Sequence, residues 1–549
     1  MGATKLLLLS LVLALSCTER PAASPPTPGA PAGPHVSSAT STALPVVPPT
    51  APRAFADLPV CPPVAPPKAA AAPTEQRPLP DRHPFDLRPA DRAAHRVLVN
   101  RLCGKPWPPS IPAGHGFDEV RRLLQPSLTI PPVTKATLTE TERQVLSELA
   151  FGATPRRAPT ELEADLLGLL AELVRVDSQS REAAGNLRVR ELLAARLAAI
   201  GFTITHHPKA GVTLARLAPP QPRGARLLLL GHTDTVLPST AFEPPLCRRD
   251  GALRGSGVGD MKGGLVVLVA ALEALHRTGA LAGRQITVLL NSDEEIGSHA
   301  SRPFIAPEAG SHDLGLCFES GKITPAPGGG LTLARKGILG LDIVVRGRSA
   351  HSGVAHHQGV DAGRIAARII ESIGTLTDYR KGTTANIGVI QTNADSAGNR
   401  VLWRIHLDGE IRYWDPNQRA ELERQVKLLV AGHMACNPYI EAARATCSDY
   451  ELTMRGRPPS PSTPARLAWF AEIAGLAEAL GTPVSPVASG GASDMNLAVG
   501  LDMLDSFGPI GRATHTSDET IPFDSLATRT RLTALTIHRT GERPPAAGR

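Results

Sequence analysis

Residues 226–236 read Arg-Leu-Leu-Leu-Leu-Gly-His-Thr-Asp-Thr-Val. Four consecutive leucines cannot alternate between a core and water, so both faces of this stretch must be covered. Arg226–Leu230 therefore reads as a strand buried inside a parallel sheet. Directly after it the chain turns polar, at His232 and Asp234. The pattern recurs downstream. Gly263–Leu275 reads as a helix, Gln285–Asn291 as an apolar strand running into Asp293–Glu295, and Leu314–Phe318 as a third running into Glu319. Strands alternating with helices predict an α/β sheet with covered faces. Such sheets bind ligands outside the carboxyl ends of their strands, which is where these polar clusters fall.

Outward from this block, Leu-rich helical periodicity runs from about Thr160 to Ile200. Residues 337–455 change character. They read as strand Leu339–Val345, helix Asp361–Leu376, strands Asn386–Thr392 and Trp403–Arg412, helix Asn417–Ala431 and strand Tyr450–Met454. That β-α-β-β-α-β order is a ferredoxin-like unit. Helix Pro464–Leu480, a Gly-rich turn at Ser489–Asp494, a strand near Asp502–Phe507 and a helix near Ser525–Ile537 follow. The smaller unit is thus expected as an insertion that splits the α/β domain into residues 158–336 and 456–549.

The chain has 549 residues, with 42% hydrophobic and 20% charged, which allows a large core and excludes wholesale disorder. Aromatic residues make up 3%, too few for stacking platforms, and a net charge of +7 is small for this length. Neither points to a nucleic-acid partner. Lys5, the apolar run Leu6–Leu15 and Ser16-Cys17 fit a signal peptide over residues 1–17. Ala14-Leu15-Ser16-Cys17 resembles a bacterial lipoprotein box, which implies a lipid anchor on Cys17; ordinary secretion is the alternative. Residues 18–80 hold 18 of the 52 prolines, so 18–82 reads as an extended tether. Residues 83–157 form an extension without a readable motif beyond a helical stretch at Glu140–Phe151. Cys61, Cys103, Cys247, Cys317, Cys436 and Cys447 are free to pair in an exported protein, and the sequence leaves their connectivity open.

Five segments carry groups suited to zinc: 231–236, 257–264, 292–298, 318–321 and 515–519. Each is ordinary alone: a satisfied histidine, a turn aspartate, a solvated acidic edge. Together they place His232, Asp260, Glu295, Glu319 and His515 after strands or in neighbouring loops. Zinc takes histidine nitrogen and carboxylate oxygen, and two zincs about 3.5–4 Å apart can share one carboxylate.

These motifs resemble the di-zinc aminoacylase/carboxypeptidase family over about residues 160–543, the insertion included. The family holds glutamate carboxypeptidases, aminoacylases, acetylornithine deacetylase and succinyl-diaminopimelate desuccinylase. The resemblance implies a mixed-sheet zinc-exopeptidase domain and an inserted lid that dimerises. It implies His232 and Glu319 on one zinc, Glu295 and His515 on the other, and Asp260 bridging. Asp234 would orient His232, Glu294 would be the general base, and Asp260-Met261 a cis peptide. His351 matches a lid histidine, usually supplied by the partner subunit. By wording the motifs are most similar to secreted glutamate carboxypeptidases. There Asn399, Arg412, Arg457 and the Gly490-Gly491 turn would bind the substrate carboxylate, although Val401-Leu402 stands where that group has Val/Ile-Pro. The implied activity is release of a C-terminal amino acid from a peptide or N-acyl amino acid. The alternatives are an N-acyl amino acid deacylase and an inactive, tethered binding protein.

Overall fold

A computed structural model of the chain describes residues 54–62, 125–126, 128–149, 161–436 and 447–545. The signal-peptide and lipobox segment, most of the Pro-rich tether and Cys103 lie outside these residues. Along the chain the elements are α1 (Glu140–Glu148), α2 (Glu161–Arg175), α3 (Ala183–Ala199), β1 (Thr203–His207), β2 (Val212–Leu217), β3 (Leu227–His232), β4 (Leu246–Arg249) and β5 (Ala252–Gly255). Next come α4 (Lys262–Arg277), β6 (Ile286–Asn291), α5 (Arg302–Ser311), β7 (Leu314–Cys317) and β8 (Gly330–Arg335). The insertion follows as β9 (Gly337–Arg346), α6 (Ala362–Gly374), β10 (Thr384–Thr392), β11 (Arg404–Tyr413), α7 (Gln418–Gly432) and β12 (Asp449–Arg457). The chain then returns through α8 (Pro464–Ala479), β13 (Ser485–Ser489), β14 (Asp502–Leu504), β15 (Thr520–Pro522) and α9 (Phe523–Gly541).

The main sheet has the order β1-β2-β6-β3-β7-β14. Strands β6, β3, β7 and β14 are parallel, and the β1–β2 hairpin adds an antiparallel edge. The four leucines of β3 divide between two cores. Leu227 and Leu229 join the cluster around α4, whereas Leu228 and Leu230 pack with Val212, Leu214, Ile305 and Met495 on the other face. Each is fully buried, a contribution of about 1.5–3 kcal/mol per side chain. Helix α4 is apolar almost all round because it is covered on one side by the sheet and on the other by α2 and α9.

The insertion forms its own sheet, β10-β11-β9-β12, with every pair antiparallel. Leu339, Leu341, Ile343 and Val345 alternate along β9 into a separate core with Ile365, Ile369 and Ile373 of α6 and Val426 and Val430 of α7. Period two on the strand and period 3.6 on the helices meet on one face. The opposite face carries no helix; its Ile338–Gly340 end lies beside Glu294 and Glu295 of the main domain, whereas Asp342 and Asp408 are exposed.

The N-terminal extension is partly integral to the main domain. Thr139 and Glu142 close a reciprocal cap on α1, at 3.2 and 2.7 Å. The carboxylate of Glu142, fully buried, receives Arg539 of α9 at 2.6 and 2.9 Å. Residues 54–62, read as tether from composition, lie against the β4–β5 hairpin. Cys61 N donates to Arg248 O (3.0 Å), Arg248 N to Pro59 O (2.9 Å), and Phe55 stacks on Phe523 with centroids 5.0 Å apart. Disulfides join Cys61 to Cys247 and Cys436 to Cys447, and Cys317 is free and buried. The helical run at 160–200 is two helices, and α5 was not legible because Pro303 and Pro307 lie within it. Among the described residues, no helix is long and apolar enough to cross a membrane.

Candidate metal centre

His232 is the last residue of β3 and is 1% exposed. Its Nδ1 faces Asp234, 3.0 Å from the carbonyl oxygen and 3.4 Å from Oδ1. Its Nε2 faces Asp260 Oδ1 at 3.3 Å and Glu319 Oε1 at 3.7 Å. The other oxygen of Asp260, Oδ2, lies 3.3 Å from His515 Nε2, which is also 3.3 Å from Glu295 Oε2. Asp260 thus turns one oxygen to each of two donor groups, His232–Asp260–Glu319 and Asp260–Glu295–His515.

The donor atoms fit metal ions better than they fit one another. His232 Nε2, Asp260 Oδ1 and Glu295 Oε1 are buried and make no hydrogen bond, an arrangement that costs about 1–3 kcal/mol per group unless something else satisfies them. Ligands at about 2.0–2.2 Å from a tetrahedral zinc stand roughly 3.3–3.6 Å apart; three of the four contacts here are at 3.3 Å and the fourth at 3.7 Å.

Two carboxylates hold the ligand loops. Asp234 accepts from Ser180 Oγ (2.8 Å) and from the amides of Glu294 and Glu295 (both 3.2 Å). Burial opposes its ionisation, but His232, Ser180 and the Glu295 amide prevail and keep its carboxyl below the usual value. Glu519 accepts from the amides of Gly257 (3.1 Å), Gly259 (2.8 Å) and Asp260 (2.9 Å), and is 4% exposed. Burial pushes its carboxyl up to about 7 against those amides. It therefore ties the loop of Asp260 to the loop of His515. Glu519 lies in the 515–519 segment, where nothing local distinguishes it from Asp518. Glu519→Gln puts an amide NH2 among backbone donors, and the expected result is a 10- to 100-fold weaker metal affinity, roughly the effect of losing an outer partner. Metal titration by calorimetry checks this; unchanged affinity would free Glu519 from the role. The Asp260-Met261 peptide is cis.

Glu294 and Glu295 open onto a cleft of about 470 Å³ that Arg412, Arg457, Gly491 and His515 also line. Arg457 is engaged within the protein: its Nη1 is 2.5 Å from Glu294 Oε1, and its Nη2 donates to Glu294 O and Ser298 Oγ, both at 2.8 Å. Burial raises the Glu294 carboxyl, Arg457 and His232 lower it, and the balance lies above the ordinary value. Arg412 donates to Glu410 (2.6 Å) and to Gly490 O (2.8 Å). The 490–491 turn was expected to offer N–H groups. It presents the Gly490 carbonyl to Arg412 and the Gly491 carbonyl to Arg335, and Gly491 N donates to Ser489 Oγ. His351 and Asn399 are exposed and sit together on the insertion, where Ser352 N donates to Asn399 O at 2.9 Å. Neither lines the cleft.

The chain is similar to several known proteins. Carboxypeptidase G2 from Pseudomonas sp. (strain RS-16) is 30% identical over 47% of this chain and 62% of its own length. Succinyl-diaminopimelate desuccinylase 2 from Shewanella loihica is 30% identical over 41% of this chain and 61% of its own. The chain therefore spans under two thirds of either. A desuccinylase from Xanthomonas oryzae pv. oryzae is 28% identical over 65% of this chain and 93% of its own length. Among solved structures, an M20 family metallo-carboxypeptidase from Sulfolobus solfataricus superposes with a TM-score of 0.55 at 17% identity, covering 68% of this chain and 99% of that one; it supports the fold. Residues 228–539, from the leucines of β3 through the ligand loops to the last helix, match peptidase family M20/M25/M40, and the chain belongs to that family.

Proposed function

We propose that this protein is a two-zinc amidohydrolase that cleaves an amide bond next to a free carboxylate and releases a C-terminal amino acid from a peptide or N-acyl amino acid. The observation that carries the reading is Asp260, whose two oxygens each face a different histidine at 3.3 Å. When bound, the zinc pair polarises the carbonyl and lowers the pKa of water. Glu294, beside the donors but outside both groups, accepts the proton of the attacking water and returns it to the leaving nitrogen. Arg457 holds the Glu294 carboxylate in place. Arg412, at the mouth of the 490–491 turn, takes the substrate carboxylate. Removal of an acyl group from an N-acyl amino acid is the same chemistry seen from the other side, and the desuccinylase similarity keeps it as the second reading.

Lipidation of Cys17, or secretion, would place the enzyme outside the cytoplasm. A homodimer through the insertion would bring His351 and Asn399 of one subunit to the cleft of the other; both are exposed and neither lines its own cleft. Sedimentation velocity tests the dimer; a monomer at micromolar concentration removes it. The test of the activity is a panel of N-acyl amino acids and dipeptides incubated with the zinc-loaded protein. Released amino acid that disappears on chelation supports the reading. No turnover on any carboxylate-bearing amide would refute it.

A further inference from the structure

Arginines buried in the main domain differ in what they meet. Arg335 pairs with Asp505 at 2.7 Å. Arg466 donates to Leu333 O, Pro461 O, Ser460 Oγ and Leu501 O at 2.9–3.1 Å. Arg529 of α9, 1% exposed, has a single acceptor: its Nη2 donates to Gly330 O at 3.1 Å, whereas Nε and Nη1 are buried without a partner. Among the described residues no carboxylate pairs with it, and burial, unopposed, draws its pKa down to about 10. A guanidinium taken from water without a counter-charge is among the most costly groups a protein interior can hold.

Arg529 also lines a cavity of about 280 Å³, together with Gly329, Ile510, Arg512, Ser525 and Thr528. A Cβ on Gly321 would stand 2.7 Å from Arg529 Nη2, so glycine there lets the guanidinium lie against the chain two residues past Glu319. The cavity carries a second guanidinium, the exposed Arg512. Its one carboxylate, Asp524, is exposed too and, among the described residues, within ion-pair distance of neither arginine. Two segments that carry candidate metal donors meet beside it. Gly321 N donates to Pro509 O at 2.9 Å and Gly511 N to Gly321 O at 3.3 Å, so the chain leaving Glu319 runs along the chain leading to His515.

We propose that this cavity binds one small anion, held by Arg529 and Arg512, which supplies the counter-charge that the fold itself omits and fastens the segment after Glu319 to the segment before His515. Chloride and a carboxylate-sized oxyanion share the required chemistry: compact negative charge that accepts N–H bonds from a guanidinium. None of the residues named for the site, Arg529 included, lines the substrate cleft, so the proposal stands apart from the activity proposed above.

The test is thermal unfolding of the zinc-loaded full chain at constant ionic strength, with sodium chloride or sodium acetate replacing the sodium salt of a bulky sulfonate. One of the two anions is expected to raise Tm saturably, by about 3 °C at a hundredfold excess over Kd. The lower half-saturating concentration tells halide from oxyanion. In R529M, which fills similar space without charge, the saturable rise disappears; R529K, which keeps a cation, retains part of it. No saturable rise with either anion overturns the site. A rise of equal size in the wild type and R529M also overturns it, because the anion then binds elsewhere. If R529M does not fold, wild-type crystals soaked separately in bromide and acetate decide. An anion within hydrogen-bond distance of Arg529 Nε or Nη1 supports the site, and water alone at that position in both crystals overturns it.

Discussion

Glu294→Gln is expected to keep the metal content of the protein and lose about 10²- to 10⁴-fold in kcat, the usual contribution of a positioned general base. The geometry separates the two effects. Glu294 belongs to neither donor group, so its loss leaves the ligands intact. Its Oε1 faces Arg457, and glutamine can keep a carbonyl oxygen there, so the local packing is preserved. What glutamine cannot do is accept a proton at neutral pH. Burial and the neighbouring Glu295 already raise the Glu294 carboxyl against the pull of Arg457 and His232, the direction expected of a group that must both take and return a proton. Elemental analysis alongside steady-state kinetics checks the result. Turnover within tenfold of the wild type would take Glu294 out of the base role, and loss of metal would make it a ligand instead.

Asp260→Asn is expected to abolish the second metal as well as activity. The two oxygens of Asp260 serve different partners, His232 Nε2 and His515 Nε2. Asparagine is nearly the same shape but offers one oxygen and no negative charge, so one donor group loses a ligand. The buried backbone around it would change little, because Glu519 still holds the Asp260 amide. Zinc bound to the native state alone contributes about 4 kcal/mol per site at a thousandfold excess over Kd. The wild type is therefore expected to gain stability on zinc addition in two steps, and the variant to lose one of them. Thermal unfolding with metal titration reads this directly. Two undiminished sites in the variant would show that Asp260 does not bridge.

Much of this was visible before folding, for reasons that differ element by element. The four leucines of β3 have no polar face, so a strand covered on both sides was the only economical reading, and the structure divides them between two cores. The insertion was legible because β9 alternates with period two while α6 keeps an apolar stripe at helical spacing, and each pattern survives whatever the chain packs against. The candidate donors His232, Glu295 and Glu319 were legible because each lies at or just past the end of an apolar strand. The β4–β5 hairpin, β8, β13 and β15 escaped notice; they are three to six residues long, and none carries the unbroken apolar run that marked β3.

Local pattern, then, settled the kinds of element, their order and the residue types gathered at the strand ends, since hydrophobic periodicity and ligand chemistry are carried by neighbouring positions. Partnership over long separations was settled by folding. Cys61 meets Cys247 across 186 positions. Arg457 reaches back 163 to clamp Glu294, and Glu519 reaches back 259 to hold the amide of Asp260. A guanidinium, a thiol or a carboxylate looks the same in sequence whether it faces water or a buried partner. Which it meets depends on how the main sheet, the insertion and the N-terminal strap close on one another, and that is fixed by packing the whole core rather than by any stretch of it.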